Sequence, residues 1–504
     1  MPDLPLGSGY NKVMMPCKYL ALVTLILCAS ATESKQQGCT APSQRVMCGS
    51  LTCDEVTGSC VPCNSTRECF ESALQCLSGQ CMMVPLVEHF NFVIAMAFLC
   101  GTMVCAIAAV AGIGGGGILV PLFSSMMDIP VSTAVGMSQS IICGQSAVNI
   151  CFSLFRKHSE TLTAFYSRPL INYQYLSLVL PLALAGTLIG GFLGRVVPDW
   201  LRLTLLLLLL SVVLQRTILR TRDQFRQDKE RRVHSSLRET HGGEVPNESE
   251  TEETEMSGAE GESITPASPV RKGHLPQFPR RELCCMLGSF VALLVCNAVR
   301  AEETVCGTFN YALMLVVPIG FLCLVSFSEF QRLQDIYYDV DEDGNFELLT
   351  FNWNRQTTIF FPAVAVVAGA AASMLGIGGG LVLGVVLYEA GLTPEEASAS
   401  SAVATLLIAC ESALQMLLQS QIAVDYSLVV FCCGMLSSVI GQLCFVRTVR
   451  RLQLHYLIVL ALAIIVGGSL ITLLSYGIYD AVVLLRHQGS LFAFGHFCLG
   501  KTSS

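Results

Sequence analysis

Long apolar segments separated by short polar loops make up most of the chain from residue 91 onward. Ten of these segments are long enough to cross a bilayer as a helix. They cover 91–111, 131–155, 173–195, 200–218, 283–300, 311–328, 357–375, 396–419, 424–446 and 455–476. Two apolar pieces, 118–127 and 381–390, are too short to cross alone. The pattern predicts an all-α polytopic membrane protein.

The pattern at the N-terminus is different and indicates a secretory signal. Lys12 and Lys18 precede an apolar run over 19–28 that is too short to span a bilayer. The small residues at 29–31 then match a cleavage site. We predict that residues 1–31 are a signal peptide, with an uncleaved signal anchor as the alternative.

A cysteine-dense segment, 32–86, follows the predicted signal peptide. An even number of cysteines in that position is typical of a disulfide-stabilised domain in an oxidising compartment. We predict a small extracellular or lumenal ectodomain whose disulfide candidates are Cys39, Cys48, Cys53, Cys60, Cys63, Cys69, Cys76 and Cys81. A zinc site at Cys60 and Cys63 is the rival, although no His lies between 39 and 81. Asn64 begins a glycosylation sequon that suits the same compartment.

The remaining cysteines are scattered, mostly in apolar segments, and we expect them to be small packing residues.

Residues 219–282 form a region of different composition between two apolar halves. The region opens with basic residues and then turns acidic, with eight Glu between 241 and 262. Such charge blocks are usually disordered. We predict a disordered cytosolic linker between a first transmembrane repeat, 87–218, and a second, 283–476, with a C-terminal tail over 477–504.

The sequence GIGGG occurs at 112–116 and again at 376–380, an offset of 264. With this offset, nine of the 25 positions from 106 to 130 are identical to their counterparts, where chance gives about two or three. Both copies lie between an apolar helix and a short apolar piece. The chain is therefore predicted to contain two related halves, a common transporter architecture.

Loop charges indicate that the two halves are inverted. Basic residues flank loops near 156–168, 216–232 and 447–451, and positive loops stay cytoplasmic. If the cysteine-rich segment is outside, all three loops lie inside only when 118–127 carries the chain back outward. Each GIGGG is then the break in a helical hairpin, and 357–375 runs opposite to 91–111.

A broken helix inside a membrane leaves backbone groups without partners, which is tolerated where they line a cavity or are buried in protein. Short helices starting at 117 and 381 would present N–H groups and a positive dipole end, which together favour an anion. Two such ends near the midplane would form one binding site. The alternative is that the glycines only allow close helix packing.

Composition excludes several other classes. Hydrophobic residues make up 52% of the chain, charged residues 13%, and the net charge is −8, so neither a soluble enzyme nor a nucleic-acid-binding protein is expected. The acidic run Asp339, Asp341, Asp343 copies the start of a calcium loop, but Thr350 stands where a bidentate Glu is required. We expect no catalytic residues, no metal and no cofactor.

Residues 368–407 combine the glycine-rich break, Gly-Leu-x-Pro and a helix rich in Ala, Ser and Thr, and 111–140 look like a first copy. The polar segment 341–355 is similar to one in eukaryotic relatives. With these features the chain resembles the TauE/SafE sulfite exporters, also called toluene sulfonate uptake permeases, over roughly 90–476. The resemblance implies transport of sulfite, a sulfonate or a related anion, driven by an ion gradient. It implies substrate-binding residues Gly112, Gly114, Gly115, Gly116, Gly376, Gly378, Gly379, Gly380, Ser138, Gln139, Ser400 and Ser401.

Polar residues inside the spans are the second group of candidates. Glu411 lies in an apolar span, where a carboxylate usually marks an ion or proton path. Gln415 is one turn away and is its expected hydrogen-bond partner. Gln145 and Asn149 occupy the comparable region of the first half and are neutral counterparts. Structural hydrogen bonding between helices is the alternative for each.

The leading hypothesis is a secondary transporter of small sulfur-containing anions, coupled to ions or protons, in the plasma membrane or an endomembrane. Its expected partners are the anion and the lipid bilayer, and homo-oligomerisation is left open. A cell-surface receptor or adhesion protein using the cysteine-rich segment is the alternative. A receptor needs no paired glycine breaks, which favours the transporter.

Overall fold

A computed structural model describes residues 52–54, 59–69, 74–77, 79–110, 115–154, 170–212, 214–215, 218, 278–303, 309–343, 353–392, 394–419, 421–445, 464, 466–475, 477–478 and 482. The predicted signal peptide, most of the linker and the end of the tail lie outside these residues. So do Cys39, Cys48, Gly112 and Gly114.

The described part of the membrane region is helical. Its principal helices are α1 (Phe92–Val110), α2 (Gly116–Met127), α3 (Val131–Leu154), α4 (Tyr173–Val196), α5 (Arg280–Glu303), α6 (Phe309–Asp343), α7 (Phe361–Leu375), α8 (Gly380–Glu389), α9 (Pro394–Leu418) and α10 (Val424–Ile440). Among the described residues, seven helices are long and apolar enough to cross a membrane. The α3 helix has 24 residues, but several Ser, Gln and Asn side chains make it more polar.

The predicted short pieces are the helices α2 and α8, each starting one residue earlier than expected, at Gly116 and Gly380. The predicted span 200–218 is helical over 199–212. The predicted span 455–476 is helical over 466–475, and 455–463 lie outside the described residues.

Local sequence explains where several helices begin. The Asn172 side chain accepts a hydrogen bond from Tyr175 N at 3.1 Å and caps α4. Pro362 lies in the first turn of α7, and Pro394 opens α9. Proline is favoured there because it lacks a backbone N–H, and in the first turn of a helix that N–H has no hydrogen-bond acceptor within the helix.

The two repeats are inverted relative to each other. Helices α3 and α9 are equivalent under the offset of 264, since both follow a matched proline, Pro130 and Pro394. The start of α3 lies beside the end of α9, where Thr133 Oγ1 donates to Gln421 O at 3.2 Å. Further along α3, Cys143 is bonded to Cys410. Equivalent helices that run antiparallel are the mark of inverted repeats, as the loop charges predict.

Equivalent glycine contacts repeat across the two halves. A Cβ on Gly190 of α4 would clash with the carbonyl of Ala370 on α7. A Cβ on Gly441, which follows α10, would likewise clash with the carbonyl of Ala106 on α1. Because Ala106 and Ala370 are matched by the repeat, the two halves pack a glycine against the same position of equivalent helices.

A buried ionic cluster joins α4, α5 and α6. Arg332 forms salt bridges with Glu282 and with Glu329, the latter at 2.7 Å. Ser177 Oγ donates to Glu329 Oε2 at 3.4 Å. The buried carboxylates of Glu282 and Glu329 need such compensation, because removing the partly buried Arg332 would leave them as unpaired charges. The cluster is contributed by helices from both repeats, so it ties them together.

The described part of the predicted ectodomain contains two small antiparallel hairpins, β1 (Thr52–Asp54) with β2 (Ser59–Val61) and β3 (Leu74–Leu77) with β4 (Gln80–Met83). Disulfides join Cys63 to Cys76 and Cys69 to Cys81. These two bonds agree with the prediction, and the pairing of Cys63 removes it from the rival zinc site. The strand residues Cys53 and Cys60 are register partners.

The sequon residue Asn64 is exposed at the surface of the ectodomain. Its backbone N–H donates to Glu68 Oε2 at 2.8 Å, and this bond lowers the pKa of the Glu68 carboxyl. The ectodomain is linked to the helical body through Leu86 N, which donates to Asp425 Oδ2 at 2.5 Å. The contact places the end of the ectodomain beside the start of α10.

One expectation about the cysteines is wrong. Cys143 and Cys410 lie in apolar helices, where we expected only packing residues, and they form a disulfide with a Cα–Cα distance of 5.3 Å. The sequence could not predict the bond because the two residues are 267 positions apart. Only the crossing of α3 and α9 brings them together.

Candidate functional site

Both glycine runs lie at the start of a short helix, as predicted. Gly115 is the residue before α2 and has φ of +63°. In the second run, Gly376, Gly378 and Gly379 have φ of +75°, +73° and +70°, and Gly379 precedes α8. Side chains with a Cβ rarely adopt this conformation, so glycine is required. Neither helix start is capped by a side chain.

The two breaks lie in direct contact with each other. A Cβ on Gly116 would clash with the carbonyl oxygen of Gly376 and would lie 2.9 Å from the Cα of Ile377. Ile142 of α3 packs against both runs, since a Cβ on Gly116 or on Gly378 would lie within 3 Å of its side chain. The structure therefore brings the two predicted glycine sites together at the centre of the molecule.

Ser138 joins the two breaks through one hydroxyl. Its Oγ donates to Gly376 O at 2.8 Å and lies 3.3 Å from Gly116 O. The neighbouring Gln139 donates through Nε2 to Ala372 O at 2.5 Å, just before the second break. Both side chains are fully buried. Ser138 and Gln139 therefore contact the backbone of the glycine runs and of the helix before the second run, and their role in substrate binding stays a prediction.

The serines of the second repeat are placed differently. Ser400 Oγ accepts a hydrogen bond from Asn172 N at 2.9 Å, at the start of α4. Ser401 Oγ donates to Ser398 O at 3.0 Å, within its own turn. Neither bond reaches a break. A polar side chain of α9 that does pack against a break is Thr405, whose Oγ1 would clash with a Cβ on Gly380.

Thr405 was missed from the sequence because α9 contains several small polar residues with the same helical spacing. Its hydroxyl donates to Ser401 O at 2.7 Å, in the preceding turn. The GIGGG run predicts that some side chain packs against Gly380, but only the packing of α8 against α9 decides that this side chain is Thr405.

Glu411 is fully buried in α9. Its Oε1 accepts a hydrogen bond from Asn297 Nδ2 of α5, and Oε2 has no hydrogen-bond partner among the described residues. The expected partner Gln415 is therefore replaced by Asn297, which comes from another helix. Arg300, one turn along α5, acts electrostatically on the same carboxylate. Sequence analysis missed both because their proximity depends on how α5 packs.

The neutral counterparts in the first repeat are also buried or partly buried. Asn149 Oδ1 accepts from Ser438 Oγ at 2.6 Å and from Gln442 Nε2 at 3.3 Å, which links α3 to α10 and to the segment after it. Gln145 Oε1 and Gln415 Oε1 have no partner within the described part of the chain. Buried oxygens of this kind are costly unless a proton, ion or water meets them.

The sequence model of the sulfite exporter TauE/SafE family matches residues 96–243 and 271–470. The chain belongs to the TauE/SafE family. Its relatives include sulfite exporter TauE/SafE family protein 3 of Arabidopsis thaliana, 23% identical over 414 residues, covering 79% of this chain and 82% of the relative. Family protein 1 of the same plant is 23% identical over 390 residues, covering 74% and 82%. No solved structure matches.

Membership of the TauE/SafE family identifies the chain as a membrane transporter rather than an enzyme. It also implies a small-molecule substrate and residence in a lipid bilayer, in agreement with the seven apolar helices. The comparisons give the receptor or adhesion alternative no support. The matched residues include both glycine breaks and exclude the ectodomain.

Proposed function

We propose that this TauE/SafE protein transports small sulfur-containing anions, sulfite or an organosulfonate, bound between the two glycine breaks. The observation that carries the proposal is the close approach of Gly116, the first residue of α2, to Gly376 and Ile377 in the glycine run that precedes α8. Each helix start offers backbone N–H groups and the positive end of a helix dipole. Two such ends directed at one anion would supply binding without a basic side chain.

The relatives support the sulfur-containing class, because they are named as sulfite exporter family proteins. Sulfite and sulfonates present oxygens that accept hydrogen bonds from backbone N–H groups, so they fit a site of this kind. The small polar side chains Ser138 and Thr405 lie against the breaks and would complete the pocket.

Coupling to protons is assigned to Glu411. Its carboxylate has an unpartnered oxygen, and Gln415 on the same helix also has one. Oxygens accept protons or cations, whereas the breaks offer donors, so the anion and the coupling ion would occupy separate places. Alternating movement of the two repeats would then expose both places to one side of the membrane at a time.

The proposed orientation keeps the ectodomain 32–86 outside or in a lumen, after removal of the signal peptide 1–31, and the linker 219–282 in the cytosol. The repeats 87–218 and 283–476 and the tail 477–504 complete the proposed domains. The orientation rests on loop charge.

Flux of labelled sulfite and of a labelled sulfonate into proteoliposomes tests the proposal. Gly115→Ala and Gly379→Ala should each reduce substrate binding severely, because an alanine in the left-handed region costs about 1–2 kcal/mol and would disturb the adjoining helix start. The double variant should be little worse than either single variant, since the two runs form one pocket.

The matched control is Gly320→Ala in α6, where a Cβ would meet nothing within 4 Å. This control should transport normally and insert into the membrane like the test variants. Normal binding in either Gly115→Ala or Gly379→Ala would contradict the shared site for that half. The packing interpretation of the glycines would then be preferred.

A further inference from the structure

The disulfide Cys143–Cys410 joins the two equivalent long helices of the inverted repeats. Cys143 lies on α3 and is buried, and Cys410 lies on α9 beside Glu411 and is partly buried. Their Cα atoms are 5.3 Å apart. A disulfide limits this distance to about 4.4–6.8 Å. Oxidised, the bond therefore prevents α3 and α9 from separating at this level.

The two helices that the disulfide joins, α3 and α9, carry side chains that pack against the glycine breaks. Ile142, directly before Cys143, lies within 3 Å of the position that a Cβ would take on Gly116 or Gly378. Ile408, two residues before Cys410, lies 3.0 Å from the corresponding position on Gly379. The disulfide therefore links the two helices whose side chains pack against the runs, Ile142 against both runs and Ile408 against the second.

In this arrangement the breaks are in backbone contact, as the position of Gly376 O against Gly116 shows. An anion that binds between them needs the repeats to move apart. Alternating access in inverted-repeat transporters is such a movement of one repeat against the other. A covalent bond between α3 and α9 at the breaks opposes it.

We propose that Cys143 and Cys410 form a thiol-controlled lock between the repeats, closed when oxidised and opened by a small thiol of the glutathione class. A thiolate attacks one sulfur, forms a mixed disulfide with that cysteine and releases the other as a thiolate. A second thiol then cleaves the mixed disulfide, leaving two reduced cysteines and one oxidised thiol dimer. The role in transport rests on the proposed function, but the locking itself does not.

Non-reducing peptide mapping of the purified full-length protein should first find the peptides of Cys143 and Cys410 joined. Initial sulfite flux into proteoliposomes should then rise on treatment with dithiothreitol. A minor conformational state is typically populated to at most about 10%, so we expect an increase of about tenfold or more. Cys143→Ala and Cys410→Ser should be fast without dithiothreitol and insensitive to it.

Cys323→Ser is the matched control, because Cys323 is free and exposed. It should keep the full response to dithiothreitol. An equal response in Cys143→Ala would assign the effect to the ectodomain disulfides and overturn the proposal. Absence of the joined peptides in protein purified without reductant would do the same.

Hydrogen–deuterium exchange of the peptides that contain the starts of α2 and α8 gives a readout that does not depend on substrate. Reduction should accelerate exchange there in the natural chain and leave Cys143→Ala unchanged. If exchange responds but no sulfite or sulfonate is moved, the lock stands and the proposed substrate is wrong. If flux occurs but neither exchange nor rate responds to reduction, the lock is wrong.

Discussion

The two repeats have the same backbone arrangement, a glycine turn followed by a short helix, but differ in the groups that surround it. Gly115 and Gly379 both precede a short helix with positive φ, and a Cβ on them would meet the side chains of Ala108 and Ala372, which the repeat matches to each other. The duplicated feature is therefore a specific turn held on a specific alanine, and it accounts for why this part of the sequence is the most similar between halves.

The surroundings of the next glycine in each run are different. Gly116 faces the backbone carbonyl of Gly376, whereas Gly380 faces the side chain of Thr405. The long helices differ too, because α3 carries the neutral Gln145 and Asn149 in the region that corresponds to Glu411 of α9. The comparison teaches that inversion symmetry repeats the glycine turns, while the two repeats differ in what faces the first glycine of each short helix and in which long helix carries an ionisable group.

The largest effect is expected where the glycine faces backbone. Gly116→Ala should abolish transport, because Gly376 O cannot move aside without shifting the second break. Gly380→Ala should also impair transport, but the added Thr405→Ala should restore much of it, since the obstacle is a side chain. Proteoliposome flux of the single and double variants measures the difference.

The control for this asymmetry is Ile142→Ala added to Gly116→Ala. It removes the neighbouring side chain but leaves the carbonyl of Gly376 in place, so it should not restore transport. Recovery of transport in that double variant would show that the alanine at 116 clashes with the Ile142 side chain rather than with the Gly376 carbonyl. The two repeats would then be equivalent at this position.

The next effect concerns the ionisable group. Glu411→Gln keeps the shape of the side chain but cannot titrate, so we expect a folded protein whose flux no longer depends on pH. Gln145→Ala in the first repeat should keep the pH dependence of the natural chain. Flux measured across a pH series distinguishes the two, and an unaltered profile in Glu411→Gln would remove Glu411 from coupling.

A smaller effect is expected at the serines. Ser138→Ala removes a hydroxyl shared by Gly376 O and Gly116 O, and a buried acceptor left without its donor costs about 1–3 kcal/mol. Ser401→Ala removes only a bond within its own turn, so it should be almost neutral. Thermal unfolding in detergent compares them, and equal losses would mean that the contact between breaks does not depend on Ser138.

The smallest effect is a change in mobility on a gel. Asn247 begins a second glycosylation sequon, in the linker 219–282 that precedes the second repeat. With the proposed orientation, Asn64 should carry a glycan and Asn247 should not, because the segments that precede the two inverted repeats lie on opposite sides of the membrane. Treatment with a glycosidase and mapping of the glycopeptide decide this. A glycan on Asn247 alone would reverse the orientation of both repeats.

Sequence alone predicted the features that depend on local pattern. The break at Gly115 and the break at Gly379 follow from the run of glycines between two apolar segments, and the inversion follows from loop charge. The partner of Glu411 could not be predicted, because Asn297 is 114 positions away and comes near only through packing of α5. The resemblance to the family implied a substrate role for Ser400, whereas the hydroxyl of Ser400 accepts a hydrogen bond from Asn172 N, at the start of another helix.

The close crossing of the halves also has a consequence for biosynthesis. Gly434 of α10 packs against the backbone of Ile141 on α3, and Leu86 donates to Asp425 across 339 positions. At about 5–20 residues per second, the ribosome needs from about a quarter of a minute to over a minute to make the intervening chain. Throughout that time the buried face of α3, with its polar side chains, lacks its partners, so the newly made first half must be shielded within the membrane until the second arrives.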